Sequence, residues 1–263
     1  MSLSTRFSSL TRQLPQDTFD KVLRWIGHLF FGVLLLMSLL YYKERLLHFD
    51  AANYTFQLLY FEDFYIGHGR WISAPTQLLP LLAIKLGASL HTVLLIYSAS
   101  FILFYYLIYL LVVYGFRQAK VGLFLALALC LTMRYKFYGP VGEVILSIGS
   151  VALLLGWLWR GEVLSHLSAR WNYVLSFLLM VLLILTGHPF AALSLLFVMG
   201  FYWISSEKWW DGEFWIMMGA ALLLLGRKYL SLQQEGSYEA GQMDNLQEGV
   251  KLLGNFQDYY VFD

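Results

Sequence analysis

Read for hydrophobicity alone, the chain is a series of long apolar blocks separated by polar breaks. A helix needs about twenty consecutive apolar residues to cover ~30 Å of hydrocarbon. The first block, 23–42 (LRWIGHLFFGVLLLMSLLYY), meets that length and closes on Tyr41 and Tyr42, residues suited to the membrane interface. Further blocks at 90–116, 121–133, 144–159, 173–186, 190–204 and 214–225 bring the count to about seven predicted spans. Several are short enough to need a thinned bilayer or shelter inside a bundle. Ahead of the first block, the polar tail carries no small-residue cleavage pattern, and Pro15 and Asp17 predict a short surface helix at 17–24.

The segment 43–88 has no uninterrupted block long enough to span. Within it Phe49, Ala52, Phe56, Leu59 and Tyr60 recur at helical spacing, which makes one side greasy while Asp50, Gln57 and Glu62 point elsewhere. That pattern predicts a helix lying in the interface. Gly67 and Gly69 frame His68 in a turn, Arg70 and Trp71 follow, and APTQLLPLLAIKLG predicts a second interfacial helix with Pro75 near its start. The fold class is therefore all-α: a polytopic helical membrane protein, with a long first outer loop (43–88) containing two interfacial helices. Residues 1–231 form the transmembrane module. The polar stretch 232–263 is an extracytoplasmic tail or the start of a longer region.

Composition agrees with the pattern. Hydrophobic residues make up 59% of the chain and charged residues 13%, far from the soluble norm. A net charge of +1 gives no electrostatic footprint for nucleic acid. Cys130, the one cysteine, lies inside an apolar block and excludes an internal disulfide. Basic residues set the orientation. Arg6, Arg12, Lys21, Arg24, Arg117, Lys120, Arg160, Arg170 and Lys208 fall on one side of the predicted topology, against only Arg134 and Lys136 in the short loops of the other. The positive-inside rule makes the first side cytoplasmic, with the N-terminus on it and the 43–88 loop outside.

On the outer side this topology gathers the scarce polar chemistry. Asp50, just past the first span, is placed to accept a proton from an acceptor hydroxyl or to bind a divalent ion bridging a phosphate, and also to cap the helix it starts. Arg70 carries a fork that matches phosphate oxygens beside glycines that allow close approach; its plainer role is an interfacial arginine beside Trp71. Glu143 enters the membrane after a Gly-Pro-Val-Gly turn, either capping a helix or facing a cavity. Arg134 and Lys136 serve as ligands for a lipid phosphate or as interfacial anchors. His188, in GHPF between two spans, is either a proton donor or phosphate ligand, or a turn histidine bonded within its own loop. The adjacent Glu62 and Asp63 read better as a solvated helix end, and His28 as an interfacial or helix-bonded histidine. No HExxH, G-x-S-x-G, P-loop or dinucleotide motif is present.

A cytoplasmic tail, one span and a long outer loop opened by an acid, with the segment FDAANYTF followed by GHGRWIS, resembles the GT-C superfamily of integral membrane glycosyltransferases, in particular bacterial members. The resemblance covers nearly the whole chain and rests on architecture and short motifs. It implies inverting transfer of a sugar from a polyprenyl phosphate or diphosphate carrier to an acceptor on the outer face of a bacterial inner membrane. Asp50 matches the acidic residue expected to act as base or to orient the acceptor, and Arg70, Arg134 and Lys136 match candidates for the carrier phosphate. The chain departs from the family in having Asp50-Ala51-Ala52 where adjacent acids are expected, and in lacking the variable C-terminal spans. The second departure implies a fragment or a protein partner. Catalytic candidates are thus Asp50, Glu143 and His188, and substrate-binding candidates Arg70, His68, Arg134 and Lys136, with a divalent metal ion left open. Two other classes fit the same residues: a transporter or flippase for a lipid-linked or small anionic substrate, and a non-catalytic assembly subunit of the membrane.

Overall fold

The computed structural model describes residues 16–67, 70–137, 140, 143–160, 171, 174–176, 178–179, 181, 189–206 and 212–232. Every element among them is helical: α1 (Gln16–Leu40), α2 (Tyr42–Leu46), α3 (Phe49–Phe61), a tight turn at Trp71–Ser73, α4 (Ala74–Lys85), α5 (Leu90–Leu110), α6 (Ala119–Lys136), α7 (Glu143–Leu158), α8 (Pro189–Ser206) and α9 (Gly212–Leu232). Two stretches are long and apolar enough to cross a bilayer, Thr18–Leu40 and Leu90–Gly115, while Ala119–Thr132, Leu146–Leu158 and Ser194–Ile204 are apolar but shorter. The fold class is confirmed as all-helical with two helices of spanning length. The predicted block at 173–186 falls largely outside the described residues, and the tail 233–263 wholly so.

The first element differs from expectation. The surface helix predicted at 17–24 is not separate, because no breaker stands between Asp17 and Arg24, and α1 runs unbroken through 25 residues. Its buried stripe, Leu23, Gly27, Phe31, Leu34 and Ser38, repeats at three and four and faces α5 and α6. The opposite face is apolar and open, with Trp25 75% and Leu29 71% exposed. At Gly27 the α1 backbone meets the hydroxyl end of Tyr109, which leaves no room for a Cβ. The same hydroxyl donates to the Arg24 carbonyl at 2.8 Å. The next residue, His28, uses both ring nitrogens, Nδ1 to the Tyr106 hydroxyl of α5 at 3.0 Å and Nε2 to that of Tyr114, just past α5, at 2.7 Å. His28 therefore bonds between helices rather than within its own.

Packing between α5 and α7 depends on small residues. Gly149 lies against Ile108 and Tyr105, Gly156 against Val112 and Phe116, and Ala152 between them is fully buried. Small residues on one face let two helix backbones approach closely. The α5 helix loosens into a π turn at Leu111–Gly115 and ends there, with the Phe116 amide reaching back to Leu111 at 2.9 Å. A second, smaller core joins Val151 and Leu154 of α7 to Leu195, Val198 and Met199 of α8 and Ala221 of α9.

Candidate functional site

The loop between the two long helices contains the two short helices expected, α3 and α4, and ahead of them the shorter α2, which was not expected. Asp50 lies in the first turn of α3 and is exposed. That turn carries the helix's unpaired amides, so a carboxylate there is favourable by about 0.3–1 kcal/mol. Its side chain does not cap the helix in the strict sense, since the N-cap residue is His48 and makes no side-chain cap bond. Inward, α3 buries Ala51, Tyr54, Thr55 and Leu58, while Phe56 and Tyr60 stack on its outer face with centroids 5.5 Å apart. Of the greasy stripe read from the sequence, Phe56 and Tyr60 therefore face away from the core, while Leu59 packs against it.

The helix stops at Glu62, whose φ of 53° is left-handed. Asp63 follows and accepts from the Phe64 amide at 2.7 Å. Both acids are exposed, as a solvated helix end should be. The connection beyond is held by Gln77 of α4, which is 1% exposed and grips Tyr65 at both backbone groups: Oε1 accepts from its amide at 2.8 Å and Nε2 donates to its carbonyl at 2.8 Å. Tyr54 packs edge-on to Tyr65, and its hydroxyl sits directly on Gly67. Arg70 closes the turn, with its amide bonded to the Gly67 carbonyl at 3.1 Å. Its side chain is buried, only 5% exposed, so it is not an interfacial arginine reaching for water. The Trp71–Ser73 turn that follows packs on α7.

Arg134 and Lys136 fall in the last turn of α6 and Glu143 opens α7, so their backbones come to the end of the bundle where Asp50 and Arg70 lie. Their side chains are not among those described, and His68 and His188 lie outside the described residues altogether. Among the described residues no group of three or more His, Cys, Asp or Glu could hold a metal ion.

Sequence reading passed over the most deeply set charge at this end. Arg45, on the short α2, is 1% exposed. Its Nε donates to Ser98 Oγ at 2.9 Å, Nη1 to the Phe137 carbonyl at 2.9 Å and Nη2 to the Ser98 carbonyl at 3.4 Å, and the guanidinium lies 4.3 Å over the Phe137 ring. Ser98 passes the bond on, donating to the Ser38 carbonyl at 2.7 Å. One cation thus ties α2 to α1, to α5 and to the carbonyl end of α6, where a positive charge is favoured by the negative end of the helix dipole. The available signal was local: in YYKERLLHF, Arg45 precedes a pair of leucines, and Leu46 is fully buried beside it.

Comparison of the chain with protein-family models, with curated proteins and with solved structures finds nothing that matches. The fold and the site define a helical protein with two helices of membrane-spanning length, joined by a loop whose buried and exposed charges collect at one end.

Proposed function

We propose that the chain is a polytopic membrane glycosyltransferase that moves a sugar from a polyprenyl-phosphate carrier to an acceptor on the outer face of a bacterial inner membrane. The observation that carries the reading is Asp50, exposed in the first turn of α3, at the end of the bundle where Arg70 and the ends of α6 and α7 also lie. Glycosyl transfer develops positive charge on the sugar and negative charge on the departing phosphate, so it calls for a carboxylate and cations in one water-poor place. In this reading Asp50 orients or deprotonates the acceptor, Glu143 and His188 complete the acid–base set, and Arg70, His68, Arg134 and Lys136 hold the carrier phosphate. A divalent ion bound at Asp50 would supply further neutralisation of that phosphate.

Helix lengths support more crossings than two. The 18 residues of α6, 16 of α7, 18 of α8 and 21 of α9 reach about 27, 24, 27 and 31 Å. Those lengths suit a slightly thinned bilayer, and the open apolar face of α1 suits lipid contact. The test is transfer from a polyprenyl-linked sugar by membranes bearing Asp50→Asn or Arg70→Lys, each first shown to fold. The reading expects transfer to fall by at least about a hundredfold in Asp50→Asn. Wild-type turnover in both variants ends it.

A further inference from the structure

At the end of the bundle opposite Asp50, the structure collects cations that the proposed chemistry does not use. Arg24 of α1 holds its guanidinium 5.6 Å from the centre of the Tyr114 ring, at the close of α5. Arg160, just past α7, lies 3.6 Å over the Trp157 ring, which stands edge-on to Phe116 at 5.7 Å. Arg117 and Gln118 follow Phe116, and Gln118 donates to the Trp159 carbonyl. Lys120 falls in the first turn of α6, and Lys21 stands one turn ahead of Arg24. The start of α1, the close of α5, the start of α6 and the end of α7 are thereby tied together, and each brings a cation.

Little of this charge is answered within the protein. The side chains of Lys21, Arg117 and Lys120 are exposed and make no hydrogen bond or ion pair among the described residues. The Arg24 guanidinium makes none either, since the ring face that holds it engages no N–H donor. Arg117 keeps a long side chain at a left-handed φ of 56°, a conformation that favours glycine. Among the described side chains at this end Asp20 is the one acid. Such a surplus of positive charge calls for an anion from outside the chain.

The surface beside the cations decides which anion. Lys21, Trp25, Leu29, Val33 and Leu36 succeed one another at three and four along the open face of α1, and all are exposed. From Trp25 to Leu36 that stripe is about 16 Å long, close to half of the ~30 Å hydrocarbon core, the depth of one leaflet. Trp25 and Tyr114, both exposed, lie at the level of the cations, as aromatic residues do at a membrane interface. A nucleic acid or an acidic peptide would answer the charges and leave the apolar stripe open. A phospholipid answers both. We propose that this end binds an acidic phospholipid of the cytoplasmic leaflet, with its phosphate at Arg24, Arg117 and Lys120 and its acyl chains along the open face of α1. The inference rests on the membrane reading alone and stands independently of glycosyl transfer.

The test uses the purified full chain in an uncharged detergent, with short-chain phosphatidylglycerol as probe and phosphatidylcholine of equal chain length as control. Binding is read from the rise of melting temperature with lipid concentration. Wild type is expected to bind the acidic lipid at least about tenfold more tightly than the control, and less so as salt rises from about 0.1 M to about 0.5 M. Arg117→Gln combined with Lys120→Gln removes exposed charges without disturbing packing, and each charge lost weakens the acidic lipid about fivefold. Arg24→Gln has an effect of the same size, whereas Lys85→Gln, at an exposed cation of the opposite end, changes nothing. Equal binding of the two lipids by wild type overturns the site and leaves the membrane reading standing. Wild-type preference in the Arg117 and Lys120 double variant, or an equal loss in Lys85→Gln, also overturns it. A wild-type chain that neither lipid stabilises removes the membrane reading and the site together.

Discussion

Nε of Arg45 donates to Oγ of Ser98 at 2.9 Å, joining the loop after the first long helix to the middle of the bundle, and neither residue reaches solvent. Taking a guanidinium out of water costs several kcal/mol, which charge-assisted bonds of about 1.5–3 kcal/mol each can offset only together. Arg45→Met leaves the Phe137 carbonyl and Ser98 short of a donor; Ser98→Ala leaves a buried charge short of an acceptor. Each is expected to lower stability by about 2–4 kcal/mol. In a double-mutant cycle followed by thermal melting, the combined loss should fall short of the sum by about 0.5–3 kcal/mol. Strictly additive losses would show that the bond carries no energy.

Gln77 predicts a local rather than a global effect. Gln77→Leu strands both the amide and the carbonyl of Tyr65, and the segment it clamps is a surface connection. Hydrogen exchange at Tyr65 should accelerate by roughly 10–100-fold, with a much smaller change in the exchange of α5. The control is Gln57→Leu, an exposed side chain whose contact to Asn53 is 3.4 Å long, expected to change stability by under about 0.5 kcal/mol.

Two glycines of α1 predict opposite signs for one substitution. At Gly27 an added methyl meets the Tyr109 phenol, which is itself tied to the Arg24 carbonyl, so Gly27→Ala should cost about 1–3 kcal/mol. At Gly32 nothing lies within 4 Å, so Gly32→Ala should add about 0.5–1 kcal/mol through backbone entropy alone. Equal melting temperatures for the two would contradict the close α1–α5 approach.

Glu62 holds a left-handed φ of 53° in the residue that closes α3. Glu62→Gly relieves that strain and should gain a few tenths to about 1 kcal/mol, read from the midpoint of chemical unfolding. Loss of stability would mean that the Glu62 side chain makes contacts outweighing the backbone term.

The pattern of apolar blocks determined that the described chain is helical, where the long helices lie, and that 43–88 carries the short helices α3 and α4, because periodicity and breakers act locally. It determined the turn at Gly67 and the acid that follows the first span for the same reason. What it could not reach was direction. The apolar stripe on α3 could be read but not which way it faced, since Tyr54 and Thr55 bury themselves instead on α2 and on the Gln77-clamped loop. Arg70 looked like a surface arginine until tertiary packing enclosed it. Arg45 had no motif at all, because its partners Ser98 and Phe137 stand 53 and 92 residues away. Which charges are buried depends on what other helices bring alongside. Only the packed bundle decides that.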